Sequence, residues 1–84
     1  MDKKQLIQKL DASTIVALLK IYNLKYKHIA GRLSCTRQNV LYLLKNDCFK
    51  EYQRYIILDL FLQYGLTDTE LALIHHMTKK VKQL

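Results

Sequence analysis

Proline is absent from this chain, and glycine occurs twice in 84 residues, at Gly31 and Gly65. A β-sandwich or barrel needs a turn about every 8–12 residues. Those turns draw heavily on Gly and Pro for conformations that other residues resist. An all-β fold is therefore excluded, and helices joined by short connections remain. Half of the residues are apolar, enough for a packed core and too many for a disordered chain. The length suits one small domain and leaves little room for both a core and a deep cleft. No Ser/His/acid grouping, Gly-rich phosphate loop or paired carboxylates stand out, so the chain does not read as an enzyme.

Apolar spacing predicts helices over about Lys3–Leu10, Thr14–Tyr22, Tyr26–Leu33, Arg37–Lys45 and Phe49–Tyr64. Asp2 caps the first, and Asp11 or Ser13 the second. Asn46-Asp47 reads as a break. Gly65 suits the position just past a helix end, with Leu66 as the apolar contact that often follows it. Thr67 through Glu70 is a capping box, T-x-x-E, opening a last helix with Leu71, Leu73, Ile74 and Met77. The end, Thr78–Leu84, carries Lys79, Lys80 and Lys82 and is expected to fray. The expected architecture is all-α: residues 1–84 form a single helical domain, with a core unit at 12–46 and apolar C-terminal helices at 49–77.

The most informative stretch is Leu24–Lys45, LKYKHIAGRLSCTRQNVLYLLK. Ile29, Ala30 and Leu33 form one apolar stripe; Val40, Leu43 and Leu44 form another. Only Ser34-Cys35-Thr36 separates the two helices, and Thr36 is suited to cap the second. Helices joined so tightly cross steeply, and a small residue such as Ala30 lets them approach. This is helix-turn-helix geometry.

The pattern I-A-x-x-L-x-C-T-R-Q-N-V-x-x-L-L resembles the helix-turn-helix of phage repressors, Cro and related bacterial regulators. The resemblance covers about Ile15 to Asn46, with Ile15–Tyr22 as the supporting helix; a resolvase- or transposase-type trihelical domain fits the same residues nearly as well. Two positions depart from the family. Ser34 stands where a turn Gly is usual, and a non-Gly residue in left-handed backbone costs about 1–2 kcal/mol. The turn is thus either mildly strained or differently shaped. Gly31 cannot serve instead, because that register would put Lys27 and Arg37 in the core. Tyr26 stands where the family often has Gln, so a phosphate contact there falls to its hydroxyl or to Lys25 or Lys27.

The resemblance implies that the second motif helix enters the major groove of double-stranded DNA, leading with its N-terminal end. Base contacts are expected from Thr36, Arg37, Gln38, Asn39 and Tyr42. Arg37 suits guanine O6 and N7, and Gln38 or Asn39 suits adenine N6 and N7. Phosphate contacts are expected from Lys25, Tyr26, Lys27 and Lys45. The charge pattern agrees. The chain carries 14 Lys and Arg against 7 Asp and Glu, and the 35 residues Ala12–Asn46 hold six of the basic residues and none of the acids. Of those six, Lys20 and Arg32 read as solvated. An acid-free surface matters because a duplex backbone repels carboxylates.

The Phe49–Tyr64 helix is more apolar than one core requires. Two readings follow. The N-terminal arm and the last helix cover it within one chain, or it forms a homodimer interface through Ile56, Ile57, Leu60, Phe61 and Tyr64, which is favoured. The leading functional expectation is a sequence-specific transcriptional regulator, a repressor or a phage or plasmid control protein. Alternatives are a protein-interaction module, such as an antirepressor or adaptor using the C-terminal helices, and an accessory factor of recombination or plasmid maintenance. No cofactor or metal is expected: Cys35 and Cys48 lack a paired zinc spacing, and adjacent His75 and His76 diverge by about 100° on a helix. With no signal peptide and no apolar run long enough to span a bilayer, a cytoplasmic chain with reduced thiols, off the membrane, is expected.

Overall fold

The computed structural model describes residues 2–82, with side chains through Lys79. Its elements are α1 (Lys3–Ile7), α2 (Ala12–Ile21), α3 (Tyr26–Leu33), α4 (Arg37–Asn46), α5 (Glu51–Gln63) and α6 (Asp68–Lys82). Among the described residues there is no strand. The result is a six-helix bundle of about 30 × 28 × 24 Å. α1 is shorter than its apolar pattern predicts, because Leu10 reaches the core from the connection rather than from the helix.

The connections explain how a chain so poor in Gly turns so sharply. After α2, α3, α4 and α5 one residue sits at positive φ: Asn23 (56°), Ser34 (55°), Asp47 (50°) and Gly65 (101°). Each is followed by the same hydrogen bond. The N–H of Leu24, Cys35, Cys48 and Leu66 donates to the carbonyl of Leu19, Ala30, Leu43 and Phe61, respectively, at 2.8–3.1 Å. This is the Schellman closure, which satisfies the last carbonyls of a helix while reversing the chain. Asn and Asp tolerate left-handed backbone better than other residues with a Cβ. Ser34 therefore carries the clearest strain of the four.

Helix starts are secured by side chains. Asp2 and Asp11 accept from the N–H of Gln5 and Thr14, each at 2.9 Å. Asp47, beyond the end of α4, accepts from Ala12 N–H at 2.9 Å and so ties α4 to the start of α2. At α6 the Thr67 hydroxyl accepts from Glu70 N–H at 3.2 Å and donates to the Glu70 carboxylate at 3.0 Å.

α5 is packed between α1 and α3. Ile57 and Phe61 are completely buried and Leu60 nearly so, while Ile56 is half-buried and Tyr64 exposed. The proposed dimer face is thus corrected: Ile57, Leu60 and Phe61 belong to the core of one chain and cannot line a contact between two. α1 covers one side of α5 as expected, but its other cover is α3, while α6 packs on α2 and α1. Tyr64 instead meets Tyr22, whose ring lies 6.5 Å from it and 6.0 Å from Phe61 between centroids.

α2 and α6 run antiparallel, joined by a polar cluster at the far end from Tyr22. The Thr14 hydroxyl is buried 3.1 Å from His75 Nδ1 and 3.3 Å from the Thr78 hydroxyl, which donates to the His75 carbonyl at 2.9 Å. This anchor carries α6 through the residues expected to fray: Thr78–Lys82 is helical, while Gln83 and Leu84 lie outside the described residues. Burial holds His75 below the ordinary histidine pKa, opposed by the nearby Asp11 carboxylate.

Two outcomes are expected. Ser34→Gly should relieve left-handed strain and raise stability by about 0.5–1 kcal/mol, whereas Gly65→Ala should lower it by about 1–2 kcal/mol, both read from urea midpoints. The unfolded chain takes up the His75 proton more readily than the folded one. Stability linked to His75 is therefore full above the unfolded value, about 6.5, and is lost as pH falls through the lower folded value. The urea midpoint should fall on acidification across that window, and fall less in His75→Gln.

Candidate nucleic-acid interface

The outward face of α4 follows from what its inner face must bury. Val40 and Leu44 pack inward with Ile29 and Ala30 of α3, all four buried. Ala30 permits the close approach of α3 and α4. The turn residue Cys35 is half-buried, and Thr36 then opens α4 in extended backbone, its hydroxyl accepting from Asn39 N–H at 3.1 Å.

With those positions spent, Thr36, Arg37, Gln38, Asn39, Tyr42 and Lys45 are all exposed, Tyr42 by 61%. Among the described residues, the Arg37, Gln38, Asn39 and Lys45 side chains have no hydrogen bond or ion pair within the chain. Thr36 differs, because its hydroxyl oxygen is already engaged as the helix cap.

The expected phosphate contacts divide. Lys25 and Lys27 are exposed and Tyr26 is half-buried at the start of α3, where the N–H of Lys25 donates to His28 Nδ1 at 2.9 Å. The structure adds Lys20 of α2 and Arg37 of α4 to that group, all of them lining one open cavity. Lys45 lies eight residues beyond Arg37, about 12 Å along the helix, and is not part of it. Sequence reasoning read Lys20 as merely solvated. Only the reversal at Asn23 brings it beside Lys25, and no linear pattern signals that. Arg32 leaves the basic set for a structural role, its guanidinium donating to the Gln63 side chain between α3 and α5.

The acids explain why this surface stays positive. Asp2, Asp11 and Asp47 cap helix starts; Glu51, Asp68 and Glu70 lie in the first turns of α5 and α6; Asp59 pairs with Lys3 at 2.9 Å. That accounts for all seven acids of the chain. Carboxylates complement the positive end of a helix, yet α3 and α4 have none in their first turns. Asp47, which follows α4, sits at its far end from Arg37 and accepts from Ala12 N–H.

Cys35 and Cys48 are free thiols, and among the described residues no three His, Cys, Asp or Glu side chains gather as a metal site. No described helix is long and apolar enough to cross a membrane. Comparison with protein-family models, with curated proteins and with solved structures finds no match.

The geometry separates Thr36 from its neighbours. Thr36→Ala should cost about 1 kcal/mol of stability through loss of the cap. Arg37→Ala and Gln38→Ala should change stability by no more than about 0.5 kcal/mol. Urea denaturation of the three variants checks both statements.

Proposed function

We propose that this chain binds double-stranded DNA in a sequence-specific way and regulates transcription. In this reading α3 and α4 act as a helix-turn-helix, with α4 in the major groove. One observation carries it: the exposed side chains opening α4, three of them without partners among the described residues, stand beside Lys20, Lys25 and Lys27, while no acid lies in the first turn of α3 or α4. A surface kept for solubility alone has no reason to be sorted in this way.

Arg37 and Gln38 lead α4 and have the donors and acceptors to read guanine and adenine edges. Asn39 follows them, and Tyr42 lies one turn on, able to meet a thymine methyl or a phosphate. Lys20, Lys25 and Lys27 supply backbone contacts on one side, and Lys45 a separate one further along. α4 is about 15 Å long, commensurate with a major groove about 12 Å wide. The reading includes no catalytic step and no cofactor. Two copies on a palindromic site remain part of the proposal, but their contact must use side chains other than the buried face of α5. Exposed Leu73 and Met77 on α6, 58% and 55% accessible, are available for it. The same pair favours the second reading, a protein-interaction module docking through α6.

Selection of bound sequences from a random duplex pool tests the proposal. A defined site should emerge, and a palindrome would also establish the paired arrangement. If about five phosphates are neutralised, log K should fall with log salt at a slope of roughly −4 to −5. Arg37→Ala and Gln38→Ala should each reduce the preference for the selected site over random duplex by about tenfold or more, with the fold intact. Equal affinity for both duplexes, or no salt dependence, would overturn the reading in favour of the α6 module.

A further inference from the structure

The cavity between α2 and the starts of α3 and α4 has a volume of about 460 Å³, within the roughly 300–1,000 Å³ common for small-molecule sites. Its two linings differ in kind. Val16, Leu19, Leu24 and Tyr26 form an apolar floor, buried or half-buried. Lys20, Lys25, Lys27 and Arg37 form an exposed cationic rim with no acid among them. None of the four head groups has a partner among the described residues, whereas Lys3 and Arg32 elsewhere do.

A phosphate group of a duplex satisfies such a rim but not the floor, where water over aliphatic carbon finds few partners. The ligand that matches both is a small organic anion with a flat or aliphatic body. Its body would lie on Leu24 and Val16 beside the Tyr26 ring, and its charge among the ammonium groups. Four unpaired cations gathered without a carboxylate gain from any such anion.

We propose that this cavity binds an amphipathic aromatic carboxylate, and that occupancy competes with DNA because the ligand engages Arg37, Lys25 and Lys27. The competition rests on the DNA-binding reading; the site itself does not. An anion here removes positive charge from the interface and occupies the side chain that opens the recognition helix. The protein is then released from its site by a small molecule, without any conformational change.

The test uses 2-naphthoate as probe, with 2-naphthalenemethanol supplying the body without the charge and inorganic phosphate the charge without the body. In amide-resolved NMR of the full chain, naphthoate should give saturable shifts confined to residues 16–27 and Arg37. The alcohol and phosphate should bind about tenfold more weakly or worse. Lys20→Glu, at an exposed position, should weaken naphthoate about tenfold, and Val16→Phe should block it by filling the floor. Circular dichroism checks that both variants stay folded, and Lys20→Glu decides if Val16→Phe does not.

Dispersed or unsaturable shifts overturn the site. So does equal binding of the alcohol, which marks an apolar dent only, or of phosphate, which marks a backbone-phosphate contact only. Naphthoate should also weaken binding to the selected duplex in proportion to its own occupancy. Unchanged duplex affinity at saturating naphthoate overturns the competition. A chain that binds no duplex at all overturns the DNA reading, and the naphthoate titration then decides the cavity by itself.

Discussion

Four of the five connections in this molecule reverse direction through a single residue at positive φ, and three of those residues carry a Cβ. The rest of the structure depends on that repeated closure. Each reversal sends the residue after it, Leu24, Cys35, Cys48 or Leu66, back across the helix just completed, and the next helix starts within a few residues. Between α3 and α4 the consequence is functional. The left-handed step at Ser34 leaves room for Cys35 to turn inward and for Thr36 to cap. The inner face of α4 is then Val40 and Leu44, with Leu43 packed beside them, and the outer face carries Arg37, Gln38, Asn39, Tyr42 and Lys45.

A second constraint is electrostatic. Helix starts attract carboxylates, and this chain places acids at the starts of α1, α2, α5 and α6. α3 and α4 are opened instead by hydrogen bonds to the His28 ring and to the Thr36 hydroxyl, neither of them a carboxylate. The positive surface is thus produced as much by where acids are used as by where lysines occur. Asp47 shows the economy of the arrangement. It stands beside the proposed reading helix, yet its carboxylate is turned to the start of α2, where it welds two elements of the same unit.

Much of this was legible in the sequence. The limits of α3 follow from Ile29, Ala30 and Leu33, and the start of α4 from Thr36, because apolar spacing and cap chemistry are local properties. The positive φ of Ser34 was one of two readings the sequence left open. The exposed set from Thr36 to Lys45 followed from subtracting the core positions, and the structure places it on the surface. What failed were inferences about partners in space. Ile57, Leu60 and Phe61 looked like surplus apolar area because helical periodicity counts apolar residues without knowing how many neighbours will cover them. α1 and α3 both pack there. Lys20 and Arg32 looked alike in sequence, but the fold gives one to a cationic rim and the other to Gln63.

The sequence by itself determined the class of fold, the helix boundaries near the motif and the separation of acids from the basic block. These depend on interactions within a few residues: side-chain period, caps and the left-handed tolerance of Asn, Asp, Ser and Gly. Only the tertiary structure decided that Ile57, Leu60 and Phe61 of α5 are covered within one chain, that His75 and Thr78 anchor α6 to Thr14, and that four cations line an apolar hollow. Those depend on contacts between residues up to 64 positions apart, which no local pattern encodes, because packing is settled by the whole set of faces that must be covered at once.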